Sequence, residues 1–167
     1  MPESLAGHTG GHEFGVAMSK PIWQFQYSVE TDASRCFAWR HWTNIANWKD
    51  PPVEFELDGP FAPGSRLTSR VPGQEPWHSV IREVHSEAAA SIEMLLAEAV
   101  LRFDWRFDEL SGGGTRITQR LTLGGENAAA YAEQVAIFEK TVPEGMKKFA
   151  TDLAQAEADR GHPKTAV

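Results

Sequence analysis

The chain has 167 residues, 41% hydrophobic and 23% charged, which suits one domain with a core large enough to leave a cavity inside it. Sixteen basic against twenty-three acidic residues give a formal charge of −7, without the positive footprint that nucleic acid or an anionic membrane surface requires, so neither is an expected partner. Cys36 is the only cysteine, which removes a disulfide framework and a cysteine metal cluster; the start carries neither a basic leader nor a long apolar run, so the expected location is the cytoplasm.

Residues 1–19 hold four glycines and no sustained periodicity, so they are expected to form a flexible tail, as are residues 161–167, around a single domain over 20–160. His8 and His12 in that first tail are too few fixed ligands for a metal. From Trp23 the chain alternates strictly, with Trp23, Phe25, Tyr27 and Val29 on one face, as in a half-buried strand. Thr31 or Asp32 can cap a short helix through CFAWRH, and Thr43 a second one through NIANW. Turn-separated runs of period two follow: Val53 to Leu57, Leu67 to Val71, Trp77 to His85, Ile92 to Leu96, Leu101 to Phe107 and Ile117 to Leu123. Short strands in hairpin succession predict an antiparallel sheet. After Gly124-Gly125 the period becomes helical, from Tyr131, Val135, Phe138 and Val142 to Met146, Phe149, Leu153 and Ala156. The stripe keeps its phase through Pro143, which predicts one long helical region kinked at Pro143 and Gly145, or two helices with Pro143 opening the second.

This order of elements is that of the START-like, helix-grip superfamily, also called SRPBCC, and several stretches resemble its polyketide cyclase/dehydrase-like branch. They are YSVETDASRCFAWRHWTNIANW, ELDGPFAPGSRL, PWHSVIREV, LRFDWRFDEL, GGTRITQRLTLGG and VPEGMKKFATDLAQAE, together spanning about residues 21–158. The resemblance implies an α+β fold in which a curved antiparallel sheet of about seven strands wraps a long C-terminal helix, with two short helices after the first strand. It also implies an apolar cavity between sheet and helix. Some members carry hydrophobic ligands and others catalyse cyclisation or dehydration, and the branch offers no diagnostic catalytic motif to place here. DGPFAPGSRL then becomes a hairpin at one end of the grip, either a rim of the cavity or a turn that sets register.

Inward parity supplies candidate ligand-binding residues in Tyr27, Phe55, Met94, Phe103, Trp105 and Phe107, and the helix adds Phe138 and Met146. Each also reads as ordinary core. Gln119 shares the parity of Ile117 and Leu121, where a buried amide needs a partner; it can orient a ligand, pair with a neighbouring strand, or be turned outward by a bulge. WHSVIREVH leaves its register open. Odd positions inward bring Glu83 and His85 to the cavity, even positions bring His78 and Arg82, and a bulge near Arg82 brings Ile81 and Val84 instead. His78, Arg82, Glu83, His85 and Gln119 are thus the catalytic candidates. Cys36 reads as a small buried hydrophobe and His41 as a helix-end or core histidine. Arg102, Asp104, Arg106 and Asp108 read as a solvated charge row. No nucleotide fingerprint or metal motif is present, so no cofactor or metal is expected. Three readings stand: a binding protein for a small hydrophobic, aromatic or polycyclic ligand, a cyclase or dehydratase, and a protein-interaction module, as a monomer or homodimer.

Overall fold

The structure is a computed structural model that describes residues 20–161, so the expected tails lie outside the described residues except for Gly161. The elements run β1 (Trp23–Thr31), α1 (Arg35–Thr43), a single 3-10 turn (Ile45–Asn47), β2 (Glu54–Asp58), β3 (Arg66–Arg70), β4 (Trp77–His85), β5 (Ala89–Leu96), β6 (Ala99–Glu109), β7 (Thr115–Gly124), a second 3-10 turn (Ala128–Tyr131), α2 (Ala132–Val135) and α3 (Phe138–Arg160). All seven strands form one antiparallel sheet in the order β1-β7-β6-β5-β4-β3-β2. The fold is the curved-sheet, long-helix α+β grip that the sequence predicts.

Alternation gives the sheet two unlike faces. On the inner face, which α1 and α3 cover, registered rows run across the strands: Ile81, Ile92, Phe103, Leu121 and Phe25 in one, Val84, Ala90, Trp105, Gln119 and Tyr27 in the next. α3 lies along β1. Its stripe buries Val142, Met146, Ala150 and Leu153, and it reaches the central strands through edge-on ring pairs, Phe138 with Phe103 at 5.9 Å and Phe149 with Trp105 at 6.3 Å. The Thr31 hydroxyl donates to the Ala150 carbonyl at 2.8 Å, and the Trp23 indole donates to Glu139 at 3.1 Å, so both halves of α3 are tied to β1.

Two caps differ from the sequence reading. Ser34, not Thr31 or Asp32, caps α1 by accepting from the Phe37 N–H, because Thr31 is already in the sheet with its hydroxyl committed to α3. Asn44 caps the 3-10 turn, while the Thr43 hydroxyl donates back to the Trp39 carbonyl inside α1. The helical stripe also breaks elsewhere than at Pro143. α3 runs through that proline, whose missing N–H leaves the Glu139 carbonyl without its helical donor, and the interruption falls at Ala136 and Ile137 between α2 and α3.

The DGPFAPGSRL turn does two things. Gly59 and Gly64 adopt φ of +94° and +91°, and the Gly64 N–H donates to the Ile81 carbonyl while the Ile81 N–H donates to the Ser65 carbonyl, which fixes the turn against β4. Phe61 meanwhile points down onto Trp42, ring centroids 5.1 Å apart. Trp42 is the hub of an aromatic cluster that also holds Trp39, Trp48, Trp105 and Phe107, with the Trp48 indole donating to the Trp42 carbonyl.

Candidate functional site

The register of β4 settles which of its side chains enter the fold. Ile81 pairs with Ile92, the register shifts between Ile81 and Glu83, and Val84 pairs with Ala90, so a bulge at Arg82 keeps Ile81 and Val84 on the inner face. His78, Arg82, Glu83 and His85 consequently lie on the outer face. They do not meet Gln119, which lies on the inner face, and the sheet separates the five candidates for acid–base work into four and one.

The outer-face residues belong to an ionic cluster. Arg102 is 6% exposed and sits among Asp104 at 2.9 Å, Glu93 at 3.7 Å and Glu83 at 3.9 Å, with Arg82 reaching Glu93 from the other side. The sequence places Arg102 in a solvated row. It is buried because Glu93 and Thr122 flank it in register from both neighbouring strands, and their side chains cover the guanidinium.

On the inner face the polar exception is Gln119. It is 7% exposed, stands between Tyr27 and Trp105 in register, and receives no hydrogen bond to its side chain from any of the described residues. Its amide is not sealed in, because the polar side-chain atoms enclosed without a partner among the described residues are Glu83 Oε2 and Ser91 Oγ. The Gln119 amide therefore faces space that water can reach. An unpaired buried amide costs about 1 to 3 kcal/mol, so something must occupy it for the position to be neutral.

The apolar wall around it divides in two. Phe107 and Met146, both expected to contact a ligand, are 1% and 2% exposed and belong to the packed core, Phe107 wedged edge-on against Trp39. Tyr27, Phe55, Met94, Phe103, Trp105 and Phe138 remain half-buried although several stand on central strands. A half-buried ring on a central strand can be reached only from above the sheet, and the space above is the one beside α3.

The remaining titratable groups add little chemistry. A hydrogen bond to the Glu87 carboxylate, and burial second, push the Cys36 thiol above its usual range, which keeps it protonated and disfavours a thiolate nucleophile. Burial lowers His41, opposed by the Asp152 carboxylate. Among the described residues no three His, Cys, Asp or Glu side chains come together as a metal site, and no helix is long and apolar enough to cross a membrane. Two depressions mark the outside: an open groove of about 1140 Å³ between the β1 edge and α3, lined by residues including Tyr27, Arg116 and Lys147, and a smaller one of about 290 Å³ at the β3–β4 turn. Gln119 and Trp105 line neither.

No family model matches the chain, and no curated protein matches it. Solved structures do. A norcoclaurine synthase point mutant from Thalictrum flavum, bound to a transition-state analogue, superposes with a TM-score of 0.63 at 13% identity, covering 84% of this chain and 96% of that one. Protein NE0264 from Nitrosomonas europaea gives 0.64 at 16% identity, covering 81% and 96%. Ara h 8.0201 gives 0.62 at 12% identity, covering 80% and 98%. At these identities the likeness is one of fold. It is the helix-grip fold, a curved antiparallel sheet with a long C-terminal helix.

Proposed function

From a helix-grip fold with this inner face, we propose that the chain is a cytoplasmic protein that binds a small, largely apolar, aromatic or polycyclic ligand between the sheet and α3. The observation that carries the reading is Gln119, a buried amide without a described partner, flanked by half-buried Tyr27 and Trp105. Two flat apolar side chains with one hydrogen-bonding group between them are the usual make-up of a small-molecule site. The rings grip the body of the ligand and the amide orients its carbonyl or hydroxyl. Phe138 and Phe149, which meet Phe103 and Trp105 edge-on, part to admit it.

Binding takes precedence over cyclisation or dehydration because those reactions need a proton donor or acceptor beside the reacting atoms. His78, Arg82, Glu83 and His85 stand on the other side of the sheet from Gln119. The test is calorimetric titration with naphthol of the wild-type chain and of Trp105→Ala. Micromolar binding that weakens at least about fivefold in a folded variant, the worth of one lost contact of about 1 kcal/mol, is the expected result. Equal affinity in both proteins overturns the assignment of the site.

A further inference from the structure

Gln119 is not the sole inner-face polar group without a partner. Ser79 is 3% exposed, and its inner-face position is fixed by register, between Leu67 and Met94. Ser69, on the adjoining strand, is buried beside Phe55 and Trp77. Neither hydroxyl receives or gives a side-chain hydrogen bond among the described residues, and neither is an enclosed orphan. Serine in a strand interior packs poorly, and alanine or valine would satisfy the same space without an idle hydroxyl.

The two polar positions lie far apart on the sheet. Gln119 is on β7 and Ser79 on β4, three strands away, and the register places Ser79 level with Leu123, four residues further along β7. With strands about 4.8 Å apart and a rise of about 3.3 Å per residue, the separation is roughly 20 Å along the sheet and shorter across its hollow. Between them the floor is apolar without a break, formed by Met94, Ile92, Phe103 and Trp105. The same sheet treats polar groups differently on its outer face, where Arg102 is surrounded by carboxylates.

We propose that the ligand is elongated and bipolar: a rigid apolar body with a hydrogen-bonding group at each end, one taken by Gln119 and the other by Ser79, with Ser69 beside it. This rests on the binding function proposed above and narrows it. A compact ligand with one polar group would leave one pole idle, whereas a long one satisfies both and covers the aromatic floor. An Asn or Gln amide accepts and donates and a serine hydroxyl does the same, so hydroxyl or carbonyl termini both fit.

The test uses para-terphenyl carrying no hydroxyl, one terminal hydroxyl or one at each end, titrated calorimetrically into the wild-type chain, Gln119→Leu, and the Ser69→Ala/Ser79→Ala double variant. In the wild type each added hydroxyl should tighten binding about fivefold, the worth of one hydrogen bond. Each variant should erase one step, so that the diol binds it no better than the mono-ol binds the wild type, and combining Gln119→Leu with Ser69→Ala/Ser79→Ala should erase both. The wild-type series needs no variant to fold. If all three probes bind the wild type equally, the bipolar ligand is wrong and the apolar site stands. If the first hydroxyl helps and the second does not, one pole is wrong and the bipolar ligand falls; the variant that erases the single step identifies the pole that is real. If none of the three binds while naphthol does, the span is wrong; if naphthol also fails, the binding function falls with it.

Discussion

The two faces of the one sheet hold different kinds of polar side chain, although Thr31 and Thr115 at the inner end of β1 and β7 are paired with the Ala150 and Ala33 carbonyls. Outside, Arg102 is almost wholly buried yet has carboxylates at 2.9, 3.7 and 3.9 Å, and the Ser28 and Thr118 hydroxyls pair with each other at 2.8 Å. Inside, Gln119 and Ser79 are equally buried and are paired with nothing described. Most of the outer polar groups are thus explained by the fold itself, although the Ser91 hydroxyl on that face is enclosed without a hydrogen-bond partner among the described residues. Gln119 and Ser79 are not so explained, and a group whose presence the fold does not explain is where function is to be sought.

The largest expected effect lies inside, and it should be purely structural. Trp42→Ala removes the hub that joins α1, the 3-10 turn, the Phe61 loop and β6, and should cost about 4 kcal/mol in urea denaturation, as large-to-alanine changes in a core do. Next comes the outer face. Arg102→Met leaves Glu83, Glu93 and Asp104 close together without their shared cation and should cost about 3 kcal/mol, while naphthol affinity stays within twofold because the sheet lies between. A fall in affinity as large as that of Trp105→Ala would break the separation of the two faces.

Gln119→Leu should move the other way. Replacing an unpartnered buried amide by an apolar side chain of similar size should raise stability by about 1 kcal/mol in the same denaturation series, while weakening any ligand that has a polar group. A loss of stability of that size would mean that the amide has a structural partner and that the inner face resembles the outer one after all. The smallest effect concerns His41 on α1. Its folded pKa lies below the unfolded value of 6.5, so the unfolded chain binds the proton more readily and stability rises with pH across that interval. Lowering the pH below about 6.5 should therefore lower the melting temperature slightly, and His41→Gln should flatten that slope. An identical slope in the variant would assign it to other groups.

Much of the architecture is legible in the sequence because it follows from period alone. Trp23 to Val29 and Ile117 to Leu123 alternate without interruption and pair in register, and the helical stripe from Phe138 to Leu153 packs on the core as its spacing predicts, buried at Val142, Met146 and Leu153. The site is half legible. The parity of Gln119 marks it as inward, and that of Ser79 with Trp77 and Ile81 carries the same signal, obscured by the histidines and charges that share the run. What the sequence leaves open is the register of β4, since a bulge is a tertiary decision taken where Arg82 can reach Glu93 without burying its charge. Nor does it reveal that Arg102 is buried, because its cover comes from strands distant in sequence. The Trp42 cluster is invisible for the same reason: α1, the turn and β6 are brought together only by the fold.

Whether the inner face holds a ligand around Gln119 can be seen by following the Gln119 side-chain amide and the Trp105 indole in nitrogen–proton spectra during a naphthol titration. Both resonances should shift together and saturably, along with backbone amides of Tyr27 and Phe149, while those of Glu83, Glu93 and Arg102 stay in place. Saturable shifts confined to the outer face, or to the groove by Arg116 and Lys147 with Gln119 unmoved, would contradict a ligand on the inner face.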